Sequence, residues 1–493
     1  MRGADLLAGL ATAGSAAPAL AAAEVTGITA DSRQVGPGMI FAALPGARAD
    51  GRAFIAEAVA RGAAAILAPE DTAWPAEAPA RPLLAHPAPR RLLALLAARL
   101  AGPGPRVTAA VTGTNGKTST VSFLRQIWAG AGHKAASLGT LGLETEGAPP
   151  PANPPAALTT QDPVALAETL AALARAGIDH AAMEASSHGL DQCRLDGVAL
   201  AGAGFTNLTR DHLDYHGTEA AYRAAKLRLF DTLLEEGAPA VANAAMDPET
   251  LAALRAIAAR RRLDLRLVGS GGDTLRLLAA TPRPDGQTLR VARGAGTARS
   301  IPLPLPGLFQ AENALLAAAL AEALGEPDAL DALARLRPVR GRLERAAVLP
   351  NGAVAYVDYA HTPDALARAL AALRPHSTGR LVVVFGAGGD RDRGKRPQMG
   401  RVAARDADRA IVTDDNPRSE DPAAIRAAIL SACPGGVEIG DRRAAIAAGL
   451  AALGPGDLLV VAGKGHETGQ IIGTEVIPFD DAAVIRALAG GAA

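Results

Sequence analysis

Residues 107–120 read VTAAVTGTNGKTST. Val107 to Val111 is a short, apolar, β-branched run and predicts a buried strand. Gly113-Thr114-Asn115-Gly116-Lys117-Thr118 follows at once, and Thr120 to Trp128 carries a helical pattern. Strand, glycine turn and helix in that order make a phosphate cradle. The glycines let peptide N–H groups approach phosphate oxygens, and the helix N-terminus adds partial positive charge. Lys117 would reach the β- and γ-phosphates, and the Thr118 hydroxyl would ligate Mg2+. The strict pattern places glycine at position 111, where this chain has Val111. The Gly-Lys-Thr ending, with a strand before it, favours the cradle over an ordinary glycine turn.

Working outward, a length of 493 residues predicts about three domains. A hydrophobic content of 49% is ample for cores in each. The 50 basic and 50 acidic residues cancel, so no nucleic-acid or other polyanionic partner is expected. Aromatic residues at 3% argue against base-stacking platforms. Two cysteines, Cys193 and Cys433, supply neither a disulfide framework nor metal-ligand spacing, so a reducing cytoplasm is expected. Leu6–Ala23 is apolar and Ala-rich, but its only early cation is Arg2, with Asp5 close behind. It reads as a first helix rather than an export signal. No membrane span is expected, since no run of strongly apolar residues free of Gly and Pro is long enough.

Residues 1–88 read as a small α/β unit: a strand at Met39–Leu44, a helix at Ala53–Arg61, a strand at Ala64–Leu67, then Pro- and Ala-rich sequence to Pro89. Residues 89–337 form the central unit. Its strands at His180–Glu184 and Ala201–Thr206 end in Glu-Ala-Ser-Ser-His-Gly and Asn-Leu-Thr-Arg-Asp-His-Leu-Asp-Tyr-His-Gly. A helix over Ala220–Leu234 carries Lys226, and Leu265–Pro302 reads as a β-rich flap. In residues 338–493, strands at Val354–Val357, Leu381–Phe385, Ala410–Thr413 and Leu458–Val461 each run into a polar or glycine loop, with helices between them. That is the doubly wound α/β pattern, in which strand C-termini share one edge and ligands bind there.

Taken locally, Glu184 is either a Mg2+-holding carboxylate opposite the phosphate cradle or a capping or ion-paired residue. His212 and His216 lack a His-x-x-x-His pattern and a cysteine partner, so they read as loop histidines rather than zinc ligands. Lys226 reads as a solvated lysine. Asp415-Asn416-Pro417-Arg418 sets a guanidinium beside a carboxylate, a pair able to grip the zwitterionic end of an amino acid. Arg391 would add a second carboxylate contact, and His466-Glu467 would stand at the neighbouring strand end.

Five stretches, taken together, resemble the Mur ligases of peptidoglycan synthesis. They are Thr112–Thr118, Glu184–Gly189, Asn207–Gly217, Asp358–Pro363 and Gly463–Glu467, within a likeness running in order from about Asp31 to Glu467. The resemblance implies three α/β domains: a small N-terminal domain, a central P-loop-type ATPase domain and a C-terminal Rossmann-like domain. It implies ATP, Mg2+ and a UDP-N-acetylmuramoyl-dipeptide as ligands of a cytoplasmic enzyme, expected to be a monomer. Asp415–Arg418 matches the motif of the subgroup that adds meso-2,6-diaminopimelate, whose second carboxylate suits an arginine partner. By the same resemblance Gly113, Thr114, Asn115, Gly116, Lys117, Thr118 and Ser119 would hold ATP phosphates, with Asn313, Arg342, Asp358 and His361 around adenine and ribose. Ser32 and Ala47, Arg48 and Ala49 would meet the uridine end of the substrate. Thr159, Thr160, Ser186, Gln192 and Arg194 would bind the muramoyl-dipeptide, although Leu158 stands where the subgroup often has Asn. Arg391, Asp415, Asn416, Pro417, Arg418, Gly463 and Glu467 would bind diaminopimelate. Thr118, Glu184, His212 and Lys226 would serve the metal and catalysis, Lys226 as a carbamate formed with CO2.

Two other readings are weighed against this one. Another amide-forming ligase of the same fold, adding D-alanyl-D-alanine or glutamate to folate, would not need Asp415–Arg418. A nucleotide-sensing assembly protein would not need Lys117, Thr118, Glu184 and His212 together.

Overall fold

A computed structural model describes residues 1–10, 20–46, 49–151 and 158–490. By its contacts the chain divides into two compact units, Met1–Val268 with Leu316–Ala329, and Gly269–Leu315 with Leu330–Ala493.

The first unit opens with four parallel strands in sequential order, β1 (Gly27–Thr29), β2 (Met39–Ala42), β3 (Ala65–Ala68) and β4 (Leu83–Ala85). Both faces of this sheet are covered, which is why its strands read as unbroken apolar runs. Ile40 and Leu67 pack with Leu92, Leu93 and Leu96 on one face. Phe41 and Ile66 pack with Ile55 and Val59 on the other. Leu6–Ala23 is not one continuous helix. The helix Gly3–Leu7 ends in a turn at Ala8–Gly9, where Gly9 takes φ 69°. Residues 11–19 lie outside the described residues.

A larger sheet follows in the same unit. It comprises β5 (Val107–Thr112), β6 (Ala135–Gly139), β7 (Gly142–Glu146), β8 (His180–Glu184), β9 (Gly202–Phe205), β10 (Pro239–Asn243) and β11 (Asp264–Gly269). Their order is β11-β10-β9-β5-β8-β6-β7, and all run parallel except β7 against β6. β5 lies between β8 and β9, with Val111 in register with Glu184 and Thr112 with Phe205. Three polar loops therefore leave adjacent strands at one edge, where such sheets bind ligands.

The second unit begins with an antiparallel meander, β12 (Leu275–Arg283), β13 (Gly286–Arg293) and β14 (Arg299–Leu303), as the β-rich reading of Leu265–Pro302 expects. Then come β15 (Glu344–Val348), β16 (Val354–Asp358), β17 (Leu381–Phe385), β18 (Arg409–Val412), β19 (Val437–Glu438) and β20 (Leu458–Ala462), in the order β15-β16-β20-β17-β18-β19. All pairs are parallel except β15 with β16. The four expected strands are the four central ones, buried on both faces. A hairpin, β21 (Gly469–Ile472) with β22 (Glu475–Pro478), follows the last of them. Among the described residues no helix is long and apolar enough to cross a membrane.

Candidate functional site

In the first unit the loop after β5 folds as a phosphate cradle should. Gly113 takes φ 145° and Gly116 φ 86°. A Cβ on Gly113 would stand 1.9 Å from Thr206 Oγ1, so only glycine fits there. The helix Lys117–Gly130 begins directly behind. The loop is pinned from β9: Thr206 Oγ1 donates to the Asn115 carbonyl at 2.6 Å, and Asn115 N–H donates to Asn207 Oδ1 at 3.0 Å. Lys117 Nζ donates to the carbonyls of Gly113 and Thr114 at 2.9 and 3.0 Å. Ser119 is buried beneath the first turn.

Glu184, 1% exposed at the end of β8, resolves the choice left open by the sequence only in part. Its Oε1 accepts from Thr118 Oγ1 at 3.0 Å and from Thr140 N–H at 2.8 Å, and its Oε2 from Thr140 Oγ1 at 3.3 Å. A Cβ on Gly139 would meet Glu184 Oε1 at 2.1 Å, so a glycine there makes room for the carboxylate. Thr118 and Glu184 thus present hard oxygen donors side by side, a set that fits Mg2+.

Lys226 is not solvated. It is 1% exposed, on the helix Glu219–Arg228, just before a π-helical turn at Leu229–Leu233. Its Nζ donates to the same Gly113 carbonyl at 2.8 Å and lies 4.6 Å from the centre of the Tyr222 ring. Burial, reinforced by the nearby Lys117 charge, holds its pKa well below the usual lysine value. A neutral buried amine is the form that reacts with CO2, so Lys226 fits the carbamate that the resemblance implies. Tyr222 bonds Thr114 Oγ1 at 3.0 Å, and burial pushes its phenol up to about 12. His212 takes φ 52° and is half-exposed. Its ring lies 4.9 Å from that of His188 and 6.1 Å from that of Tyr222. His216 Nε2, in the same aromatic group, is buried with no hydrogen-bond partner.

A chain of contacts leads away from Glu184. Thr159 Oγ1 meets Thr140 Oγ1 at 3.1 Å, and Thr160 Oγ1 donates to the Glu184 carbonyl at 3.0 Å while accepting from Ser186 N–H. Ser186 caps the short helix Ser187–Asp191. Arg194 donates to the Thr160 carbonyl at 2.6 Å and to Gln192 Oε1 at 2.8 Å. All five residues expected at the muramoyl-dipeptide are therefore linked by hydrogen bonds to Glu184, Thr159 to its carboxylate through Thr140 and the others to its main-chain carbonyl through Thr160. Farther back, Ser32 Oγ donates to Glu57 Oε2 at 3.3 Å, and the Ala49 carbonyl accepts from Gly46 N–H. Ala47 and Arg48 lie outside the described residues.

The second unit gathers the other loops. Asn313 Nδ2 donates to Gln310 Oε1 at 3.3 Å, and Gln310 Nε2 to the Arg342 carbonyl at 3.0 Å. The Arg342 guanidinium lies 4.9 Å from the centre of the Tyr359 ring. Asp358 accepts from Leu343 and Ala360 N–H at 2.8 and 2.9 Å, so it shapes this loop, and burial raises its pKa. His361 Nδ1 lies 2.9 Å from the Tyr359 carbonyl.

At the ends of β18 and β20, Asn416 Nδ2 donates to Glu467 Oε2 at 2.8 Å. Lys464, fully buried, donates to Asn416 Oδ1 at 2.9 Å, to Glu467 Oε2 at 3.3 Å and to the Gly469 carbonyl at 2.5 Å. A Cβ on Gly463 would stand 2.3 Å from Asp415 Oδ2. Arg418 takes φ 54°, and its Nη1 donates to the Gly389 carbonyl at 2.8 Å. The Pro417 carbonyl leaves no room for a side chain at Gly389, where a Cβ would lie 1.9 Å away. A Cβ on Gly388 would touch both Arg418 Nη1 and Arg391 Cγ, which puts the two arginines in one neighbourhood.

Arg442 fastens these loops from below. Its guanidinium, 0% exposed, pairs with Asp481 at 2.7 Å and donates to the carbonyls of Ala462 and Asp414. Arg442→Met strands the Asp481 carboxylate in the core and is expected to lower stability by about 3–5 kcal/mol. The urea midpoint measures this, and adding Asp481→Leu should recover most of the loss. His466 supplies a pH test. Burial and the Arg342 charge press its pKa down to about 4. Between about pH 6.5 and 4 the unfolded chain binds a proton that the folded chain refuses, so stability falls as pH falls through that window. His466→Gln should flatten that part of the unfolding-midpoint profile.

Sequence reading missed Thr140, Asn207, Tyr222, Gln310, Lys464 and Arg442. Asn207 and Lys464 lay inside motifs already singled out and Tyr222 on the helix that carries Lys226, so their position was a signal; Thr140, Gln310 and Arg442 carry none that a single sequence displays.

Models of the family match three stretches: the catalytic domain of the Mur ligase family over residues 24–100, the Mur ligase middle domain over 111–321, and the Mur ligase glutamate ligase domain over 341–465. A UDP-N-acetylmuramoyl-L-alanyl-D-glutamate--2,6-diaminopimelate ligase of Caulobacter vibrioides is 56% identical over 94% of this chain and 96% of its own. The chain belongs to the Mur ligase family. A ligase of the same name from Mesorhizobium japonicum is 54% identical, with 94% of each chain covered. A solved structure of a ligase so named superposes with a TM-score of 0.71 at 33% identity, over 94% of each chain. Among Mur ligases, then, this one shares 94% of its length with ligases whose printed names carry diaminopimelate.

Proposed function

We propose that this Mur ligase joins meso-2,6-diaminopimelate to UDP-N-acetylmuramoyl-L-alanyl-D-glutamate with ATP, in peptidoglycan precursor synthesis. The observation that carries the choice of amino acid is the Asp415–Arg418 loop, where a backbone-held guanidinium stands among glycines near Arg391. High identity to ligases of that name supports it.

The γ-carboxylate of the D-glutamyl residue attacks the γ-phosphorus of ATP, giving an acyl phosphate and ADP. The cradle N–H groups and Lys117 offset charge developing on the transferring phosphoryl group. Thr118, Glu184, His212 and carbamylated Lys226 would hold Mg2+, which supplies further charge neutralisation. Thr159, Thr160, Ser186, Gln192 and Arg194 position the dipeptide; Ser32 and the Ala47–Ala49 loop take the uridine end. Asn313, Arg342, Asp358 and His361 surround the nucleoside. Asp415, Asn416, Arg418, Arg391, Gly463 and Glu467 orient the diamino acid, whose free amine attacks the acyl carbon and expels phosphate. Water must be kept out, since it competes for the acyl phosphate. We assign residues 1–88, 89–337 and 338–493 to the three substrate-handling domains of a monomeric cytoplasmic enzyme.

The deciding experiment is the intact mass of the product formed from the UDP-muramoyl-dipeptide, ATP and each candidate amino acid. A diaminopimelate adduct alone is expected; a lysine adduct formed equally well would overturn the specificity. Lys226→Ala is expected to lose ligation and to recover part of it with an added short-chain carboxylate. Absence of any rescue counts against the carbamate.

A further inference from the structure

The sheet that carries the phosphate cradle has a second polar cluster at its other edge. Asp179 and His180 lead into β8, His133 reaches the same place from the turn after the helix Lys117–Gly130, and Glu326 arrives from beyond the helix Leu308–Ala323. Glu184 closes the five residues of β8 that His180 opens, so about 13 Å of strand separates this cluster from the cradle edge.

One ligand atom each from His133, Asp179 and His180 lies within 4.8 Å of the others. His180 Nδ1 is 2.9 Å from Asp179 Oδ1, and His133 Nδ1 is 3.8 Å from Asp179 Oδ2. The two rings stand 4.0 Å apart between centroids, so both Nδ1 atoms face one carboxylate. On the far side of His133, Nε2 lies 2.6 Å from Glu326 Oε1. A carboxylate there keeps the proton on Nε2 and turns the Nδ1 lone pair inward, as the outer carboxylate behind a metal-binding histidine does. Two protonated imidazoles this close would repel. Burial lowers the pKa of His180, which favours the neutral ring that a cation needs.

We propose that His133, His180 and Asp179 form a binding site for a divalent transition cation, zinc foremost, with Glu326 orienting His133 from outside. Two imidazoles and one carboxylate suit zinc, cobalt or nickel, whereas magnesium and calcium prefer oxygen throughout. The side chains of His133 and Asp179 are 26% and 41% exposed, so a cation reaches them from solvent. Bound there, it ties the turn before β6, the start of β8 and the segment around Glu326 together, without touching the cradle.

Trp128 reports on the site, since its ring lies 5.0 Å from that of His180. In a Trp74→Phe background with excess Mg2+, Co2+ is expected to quench Trp128 emission and Zn2+ to displace it, with one Zn2+ retained per chain after dialysis. His133→Ala should abolish both signals. Glu326→Gln should weaken Zn2+ binding about 10–100-fold. Both variants should keep wild-type phosphate release with Mg-ATP in zinc-free buffer. Zinc retention by His133→Ala equal to wild type, or no retention by wild type, overturns the site. Unchanged affinity in Glu326→Gln overturns the role of that carboxylate.

Discussion

Lys117→Ala is expected to cut phosphate release during ligation by at least about 10²–10³-fold while leaving the fold intact. Removing one donor aimed at developing transition-state charge has that effect, about 2.7–4 kcal/mol of barrier. The fold should survive because Lys117 Nζ donates to the Gly113 and Thr114 carbonyls, and Gly113 keeps Lys226 as a second donor. The loop is also held by Thr206 and Asn207, whose contacts do not pass through the lysine. The checks are steady-state phosphate release and a circular-dichroism melt. Near-wild-type turnover would remove Lys117 from the chemistry, and a collapsed melting transition would show it to be structural.

Arg418→Ala is expected to raise KM for diaminopimelate about 10–150-fold while leaving KM for ATP unchanged. A hydrogen bond to a charged group contributes about 1.5–3 kcal/mol, which converts to that range. The backbone at Arg418 is left-handed, φ 54°, and the Arg418 N–H and carbonyl bond to Ile471 and Gly473 of the hairpin. Those main-chain bonds survive truncation, so the loss is confined to the guanidinium. Arg418→Lys should rescue little, because an ammonium cannot match a carboxylate with two parallel bonds. An unchanged diaminopimelate KM would mean that another group reads the second carboxylate.

The architecture was legible because its signals are local. Val107–Val111, Leu381–Phe385 and Leu458–Val461 are short apolar runs with a glycine or polar loop behind each, and each is a central strand. Periodicity could not reveal what depends on the packing of distant segments. Lys226 looked solvated because nothing beside it in sequence says that its helix faces the cradle; Gly113, its acceptor, is 113 residues away. Arg442 and Asp481 are 39 residues apart, and each alone reads as a surface charge. Thr140 is an unremarked turn residue until Glu184 is placed across from it. The expected helix over Leu6–Ala23 failed because composition shows apolarity but not the turn at Ala8–Gly9.

A single peptide oxygen, that of Gly113, serves two lysine side chains. Their demands on it are therefore linked, and linkage runs both ways. A triphosphate that draws the outer lysine off leaves the inner one an undivided acceptor. Conversely, the carbamate proposed at Lys226 would set carboxylate oxygens beside the Lys117 charge and change how firmly that cation is tethered before nucleotide arrives. On the proposed reading, loading of the pocket and priming of its floor would thus be two readings of one equilibrium.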